Sequence, residues 1–239
     1  MAALPRSVLT AIDFGDASGR ATALGGFVAR SCGATLRLLH AESIEAPLYF
    51  TSEQLDALEG QRRATRTQAE QFASRFGRQH TSVAFSTHLD DGPPVDAILR
   101  ESETADLVVM GTHGRHGPRR WWLGSVAERV LREIAGPLLI VHAGATNAVD
   151  SLFARVLVHA IQPLNGEVAL EYARNLAALR GGAVFDERHS PLEPLVKRFD
   201  PTLLVAAAPE PRTPAWLSSY GDRLVRSCQV PILFVPEVS

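Results

Sequence analysis

The chain has 239 residues, of which 46% are hydrophobic and 21% charged, a composition typical of a water-soluble globular protein with one or two domains. The 24 Lys and Arg residues nearly balance the 26 Asp and Glu residues, which argues against a dedicated nucleic-acid-binding protein. Two distant cysteines fit neither a disulfide framework nor a zinc motif, and neither a signal-peptide pattern nor a run of 18 apolar residues occurs, so we expect a cytoplasmic protein without a membrane span.

Short β-branched or apolar runs alternate with amphipathic helical patterns over the first 142 residues. Strands are predicted at 7–12, 35–40, 83–88, 107–110 and 138–141. Helices are predicted at 16–30, 51–76, 93–99 and 125–135. The fourth strand is wholly apolar, as expected of a central parallel strand that is buried on both faces. This alternation predicts an α/β fold in which five parallel strands form a doubly wound sheet.

A shorter copy of the same pattern follows a small, polar segment at 144–150, which we interpret as a linker. Residues 155–159 repeat the first strand, and 167–179 repeat the first helix. The segment 221–236 matches 127–142 at a constant offset of 94. The repeat therefore has the size of a whole domain rather than of a solenoid unit.

The second copy lacks one strand-helix unit. We interpret the strand at 183–185 and the helix that follows Ser190 and Pro191 as counterparts of the third strand and third helix. The sequence thus predicts two tandem Rossmann-like domains, at 1–145 and 152–239, the second with a shortened sheet.

The stretch GTHGRHGPRRWWLGS, residues 111–125, lies between the fourth strand and the fourth helix. Glycine lets a ligand approach the backbone closely, and a helix that begins near Ser125 presents unpaired N–H groups and the positive end of its dipole. The Ser125 hydroxyl either caps the helix or donates to a phosphate oxygen. This pattern predicts an anion site, and the alternative is that the glycines serve tight turns alone.

Gly111, Gly114 and the pair Gly124-Ser125 have the spacing Gly-x2-Gly-x9-Gly-Ser, which is neither a P-loop nor GxGxxG. This spacing resembles the ATP-binding signature of the universal stress protein family. The neighbouring VVMGTHG and LGSVAERVL are also similar to that family. The resemblance covers nearly the whole chain, strongly over 1–142 and weakly over 152–239, and it implies that the first domain binds ATP.

The resemblance assigns the base and ribose end of the nucleotide to residues that follow the first, second and fourth strands. It implies that Asp13 binds the adenine or ribose together with the backbone around Ala11 and Ile12. Ala41 is expected to line the base pocket, with Met110 packed nearby. The alternative for Asp13 is a helix-capping or turn carboxylate.

The phosphate end is assigned to the glycine-rich junction. The residues that the resemblance implies for ribose and phosphates are Gly111, Gly114, Gly124, Ser125 and the Val126 amide. Arg115, and with it Arg119 and Arg120, either faces the polyphosphate or lies in a solvated loop. Magnesium is left open as a companion of the phosphates. No metal site is predicted at His113 and His116, because no third ligand accompanies them.

The second copy departs from the signature at each corresponding position. Ala207 stands for Gly111, Glu210 for Gly114 and Ser218 for Gly124, while prolines at 209, 211 and 214 remove N–H donors from the loop. We therefore expect one nucleotide per chain. The resemblance also implies that the last strands of the two copies pair within the chain as a pseudo-dimer.

The resemblance implies a nucleotide-dependent stress-response regulator or signalling protein with an unidentified protein partner. The sequence assigns no catalytic residue, because no general base has a persuasive position. A slow ATPase that uses the same pocket and a non-binding structural interaction protein stay open as alternatives, as does association of two chains into a homodimer.

Overall fold

Strands and helices follow one another in the first half in the order predicted from the sequence. The computed structural model describes residues 3–41, 52–112, 124–142, 144, 148–160, 166–208, 220, 221, 223–225 and 228–237, with the backbone alone at 52–64. Within these ranges, the strands of the first half are β1 (Ser7–Ala11), β2 (Thr35–Ala41), β3 (Phe85–Asp90), β4 (Leu107–Thr112) and β5 (Leu138–His142). The helices that alternate with them are α1 (Asp16–Cys32), α2 (Ser52–His80), α3 (Pro94–Ser102) and α4 (Ser125–Glu133).

The second half begins with a short 3-10 helix, Val149–Ser151, which overlaps the end of the segment expected to be a linker. Its further elements are β6 (Arg155–His159), α5 (Glu167–Ala178), β7 (Ala183–Asp186), α6 (Leu192–Phe199), β8 (Leu203–Ala208) and β9 (Ile232–Pro236). Residues 220, 221 and 223–225 are also helical. None of the helices in the described residues is long and apolar enough to cross a membrane.

All nine strands of the described chain belong to one sheet, in the order β3-β2-β1-β4-β5-β9-β8-β6-β7. Neighbouring strands within each half are parallel. Successive residues of β1 point to opposite faces: Val8 packs in the layer that contains α1 and α2, and Leu9 packs in the layer that contains α3 and α4. The doubly wound α/β fold predicted from the sequence is confirmed.

The antiparallel pair β5–β9 joins the two halves into one sheet. Leu138 lies opposite Phe234, Leu139 opposite Leu233, and Ile140 opposite Ile232. All six side chains are buried, and removal of such side chains from water stabilises the pairing by roughly 1.5–3 kcal/mol each. The expected pairing of the last strands within the chain is therefore present.

The position of β7 corrects the interpretation of the missing unit. The sequence predicts that 183–185 is the counterpart of the third strand. In the structure, however, β7 lies beside β6, just as β2 lies beside β1. The second half therefore lacks counterparts of α2 and β3 in its described residues, rather than of the second strand. The prediction for 183–185 is wrong because the residues of a short apolar strand do not determine which strand it pairs with.

A shared apolar layer on one face of the sheet continues across the boundary between the halves. Phe27 of α1 and Phe153, which precedes β6, have ring centroids 5.2 Å apart, and both are almost fully buried. The Arg180 guanidinium lies over the Phe27 ring and donates to the Ser31 hydroxyl. Because these contacts join the two halves of the chain, we expect the two halves to unfold together.

Phe153→Ala is expected to lower the stability of the whole chain by about 3–5 kcal/mol, since it leaves a cavity in the shared layer. Calorimetry should show a single unfolding transition, moved down by on the order of 10 °C. Phe72→Ala is the comparison variant and should cost less, because Phe72 is 50% exposed, and its cost reflects the lost contact with Phe14. Two separate transitions, of which only one moves, would contradict this description.

Candidate functional site

A cavity of about 300 Å³ opens at the carboxyl ends of β1 and β4. These strands are neighbours, with Ala11 opposite Met110, and the sheet order reverses between them. In open α/β sheets, ligands bind at such a reversal, since the connections leave in opposite directions. The described residues that line the cavity are Ala11, Ile12, Asp13, Ser18, Leu39, Ala41, Pro94, Ile98, Met110, Gly111, Gly124, Ser125, Val126 and Ala127.

The cavity gathers every predicted site residue that the structure describes. Nine of the eleven line it: Ala11, Ile12, Asp13, Ala41, Met110, Gly111, Gly124, Ser125 and Val126. The other two, Gly114 and Arg115, lie outside the described residues, as do His113, His116, Arg119 and Arg120. No group of three His, Cys, Asp or Glu side chains that could hold a metal ion occurs in the described ranges.

A tight turn holds Asp13 at the mouth of β1. Asp13 Oδ1 accepts a hydrogen bond of 3.0 Å from the Gly15 N–H, so the carboxylate closes the turn as well as lining the cavity. Phe14, between them, has a φ of 63°, which is uncommon for a side chain of this size. Its ring contacts His40 at 4.4 Å and Phe72 at 4.7 Å between centroids, and this packing compensates for the strained backbone.

Gly111 is required by the packing of β4 against α1. A Cβ at this position would lie 2.6 Å from the carbonyl carbon of Ala17 and 2.8 Å from its carbonyl oxygen. The first turn of α1 therefore approaches β4 more closely than any side chain allows. This close approach gives Gly111 a structural role that the sequence pattern alone does not separate from ligand binding.

The first turn of α4 forms the side of the cavity that an anion would occupy. Gly124 is the N-cap residue, with φ −62° and ψ 153°, and no side chain among the described residues caps the helix. Ser125 is consequently the first helical residue rather than the cap, contrary to one of the two roles considered for it. The backbone N–H groups at the start of α4 carry the positive end of the helix dipole toward the cavity.

An apolar wall, which the sequence analysis identified only in part, completes the site. Besides the predicted Ala41 and Met110, this wall contains Leu39 from β2 and Pro94 and Ile98 from α3. The two α3 residues carry no motif, so their place beside the cavity depends on how α3 packs over the sheet. Ser18 and Ala127, from the first turns of α1 and α4, complete the lining.

Large side chains occupy the corresponding place in the second half. Strand register and the repeat offset place His159 at the position of Ala11, Ala206 at that of Met110, and Tyr220 at that of Val126. His159 Nδ1 lies 2.6 Å from the Tyr220 hydroxyl, and these two residues are 6% and 3% exposed. Within the described residues, these two side chains therefore occupy the second crevice.

His159 is held in its neutral form. Its Nε2 lies 3.2 Å from the Ser190 carbonyl, which only accepts, so Nε2–H donates and Nδ1 accepts from the Tyr220 hydroxyl. Burial lowers the pKa of His159 below 6.5, with a further lowering by nearby His189, and these effects exceed the opposing effect of the Ser190 carbonyl. Burial also lowers the pKa of His142, at the end of β5.

Comparison with known proteins identifies relatives of the first half. A model described as the universal stress protein family matches residues 5–142. A universal stress protein of Thermus aquaticus is 31% identical over 140 residues, which make up 57% of this chain and 98% of that protein. Another, of Methanocaldococcus jannaschii, is 44% identical over 61 residues, 25% of this chain, and the match spans only 36% of that relative.

Comparison with solved structures extends the likeness of fold to both halves. The crystal structure of a universal stress protein from Archaeoglobus fulgidus has a TM-score of 0.65 and 18% sequence identity. The alignment covers 97% of this chain and 96% of that chain. Such a low identity shows the fold alone.

Gly111→Ala is expected to destabilise the protein by about 1–3 kcal/mol, because the added methyl group forces β4 and α1 apart. Gly136→Ala is the matched control, since a Cβ at Gly136 meets no atom within 4 Å and should change stability little. Thermal unfolding of both variants measures the difference. Equal stability of the two variants would show that Gly111 is not needed for packing.

The free energy of unfolding is expected to fall as the pH drops below 6.5. The unfolded chain binds protons at His159 and His142 near pH 6.5, whereas the folded chain binds them only at lower pH, so acid favours the unfolded state. Denaturant titrations between pH 7 and pH 5 measure this slope, and His159→Gln should reduce it. An unchanged slope in the variant would contradict the buried neutral state of His159.

Proposed function

This chain belongs to the universal stress protein family, and we propose that its first half binds ATP in the cavity between β1 and β4. In this proposal the protein is a nucleotide-dependent regulator whose output is an interaction with another protein. The second half supplies a structural partner domain with no nucleotide of its own.

The observation that carries the proposal is the convergence of separate segments on one cavity. Nine residues that the family resemblance assigns to the nucleotide lie at the ends of β1, β2 and β4 and at the start of α4, and all nine line the same space. The cavity volume of about 300 Å³ lies within the range of roughly 300–1,000 Å³ that is usual for small-molecule sites.

The chemistry of the lining suits the parts of ATP. Leu39, Ala41, Ile98 and Met110 provide an apolar surface for the purine ring, and Asp13 provides a carboxylate that can accept a hydrogen bond from the ribose or base. The first-turn N–H groups of α4, beside Gly124, suit a phosphate. Gly114 and Arg115 are proposed to complete the phosphate end.

Magnesium is proposed to accompany the phosphates. Mg²⁺ usually keeps several waters and binds through substrate phosphates with one or two carboxylates, so the proposal requires no preformed protein cage. The nucleotide would bring most of the ligands for this ion.

Calorimetric titration of the purified chain with Mg-ATP is expected to give a stoichiometry near one. Gly124→Leu should weaken binding by more than about tenfold, because its side chain enters the cavity wall next to the α4 amides. Gly136→Leu is the matched control, since a Cβ at Gly136 meets no atom within 4 Å.

A stoichiometry near two would contradict the assignment of the second half. Unchanged affinity in Gly124→Leu would contradict the site itself. A phosphate-release assay on the same samples separates binding from hydrolysis, and turnover that is lost in Gly124→Leu would favour the slow ATPase over the regulator.

A further inference from the structure

A half-buried carboxylate lies one strand away from the cavity wall, at the end of β3. Asp90 is the last residue of β3 and pairs in register with Ala41 of β2, which lines the cavity. The Asp90 side chain is only 12% exposed, and Asp90 is not among the described lining residues. Any effect of Asp90 on a ligand must therefore pass through neighbouring residues.

Asp90 contacts both ends of the segment 92–100, which contributes Pro94 and Ile98 to the cavity wall. Its Oδ1 accepts a hydrogen bond of 2.8 Å from the Gly92 N–H, which closes the turn that leads into α3 at Pro94. Its Oδ2 pairs with the Arg100 guanidinium in the last turn of α3. Hydrogen bonds to an ionised carboxylate are stronger than neutral ones, so these contacts restrain the turn and the helix together.

The carboxylate is ionised at neutral pH. Burial raises the pKa of Asp90, but the hydrogen bonds from Gly92 and Arg100 and the nearby Arg100 and His88 charges outweigh burial and hold the pKa below its ordinary value. Asp90 therefore keeps its charge-assisted contacts throughout the physiological range.

A second ion pair holds the same helix to the sheet. Arg37 of β2 lies 3.2 Å from the Glu101 carboxylate in α3, and His88 of β3 lies 3.6 Å from the other Glu101 oxygen. Helix α3 is thus tied to β2 and β3 on one side, while Pro94 and Ile98 line the cavity. Movement of the Asp90 turn would shift these two residues relative to Ala41.

We propose that Asp90 is a positioning residue for the nucleobase, which fixes the Pro94 and Ile98 wall through the turn at Gly92 and the contact with Arg100. The inference rests on the proposed binding of ATP. A site discriminates between purines that differ only in the groups around the ring when its wall is held in place. Loss of the Asp90 contacts should therefore change which purine the cavity accepts.

The test compares Asp90→Ala, Arg100→Gln and Asp91→Ala. Asp90→Ala removes both contacts, whereas Arg100→Gln removes the contact with the helix and keeps the Gly92 turn. Asp91→Ala is the matched control in the same turn, because Asp91 is 52% exposed and its ion pair with Arg66 is long, at 3.9 Å. Calorimetry gives the dissociation constants for ATP and GTP, and thermal unfolding gives the stability of each variant.

Asp90→Ala is expected to weaken ATP binding by about tenfold and to lower the preference for ATP over GTP. Arg100→Gln should show a smaller change in the same direction, and Asp91→Ala should match the wild type. Equal weakening of ATP and GTP, with the preference unchanged, would overturn the positioning role, because general destabilisation does not select between bases.

The outcomes separate the two proposals. A wild-type chain that binds no adenine nucleotide would overturn both the proposed function and this inference. A wild-type chain that binds ATP, with Asp90→Ala and Arg100→Gln keeping its affinity and base preference, would overturn this inference alone. If Asp90→Ala does not fold, Arg100→Gln decides the question, because its side chain is 56% exposed and its replacement leaves the turn intact.

Discussion

The helices that follow β1 and β4 lie on opposite faces of the sheet, and the candidate site depends on this constraint. Helix α1 packs in one apolar layer and α4 in the other, so the two connections diverge where the strands end. The divergence leaves a crevice between neighbouring strands, and two helix first turns border it. The Asp13 turn, the apolar wall and the start of α4 all border that crevice.

The two halves have similar strand arrangements around this crevice but differ in the size of the side chains that line it. In the first half small residues, such as Ala11 and Gly111, leave the space open. In the second half His159 and Tyr220 fill it with a buried, hydrogen-bonded pair. Both halves contribute equally to the antiparallel seam at β5 and β9, which needs apolar strands but no cavity. Selection for packing can therefore preserve the second half without a ligand.

Glycines within one signature serve different physical purposes. Gly111 lacks room for a side chain because α1 crosses β4 at close range. Gly124 has an ordinary backbone conformation, so its value lies in exposing the start of α4. A motif that resembles a single ligand-binding feature thus combines a requirement of the fold at Gly111 with a requirement of the proposed site at Gly124.

The sequence by itself determined the alternation of strands and helices and the tandem repeat, because apolar periodicity is a local property of the chain, and its resemblance to the universal stress protein family named nine residues that line the cavity. Only the tertiary structure placed β7 beside β6, since pairing partners are not encoded in a short apolar run. It also moved β3 from 83–88 to Phe85–Asp90, because its six pairs with β2, and not local propensity, set its ends. Pro94, Ile98 and the His159–Tyr220 pair escaped the sequence analysis for the same reason: their roles come from packing between segments that are distant in sequence.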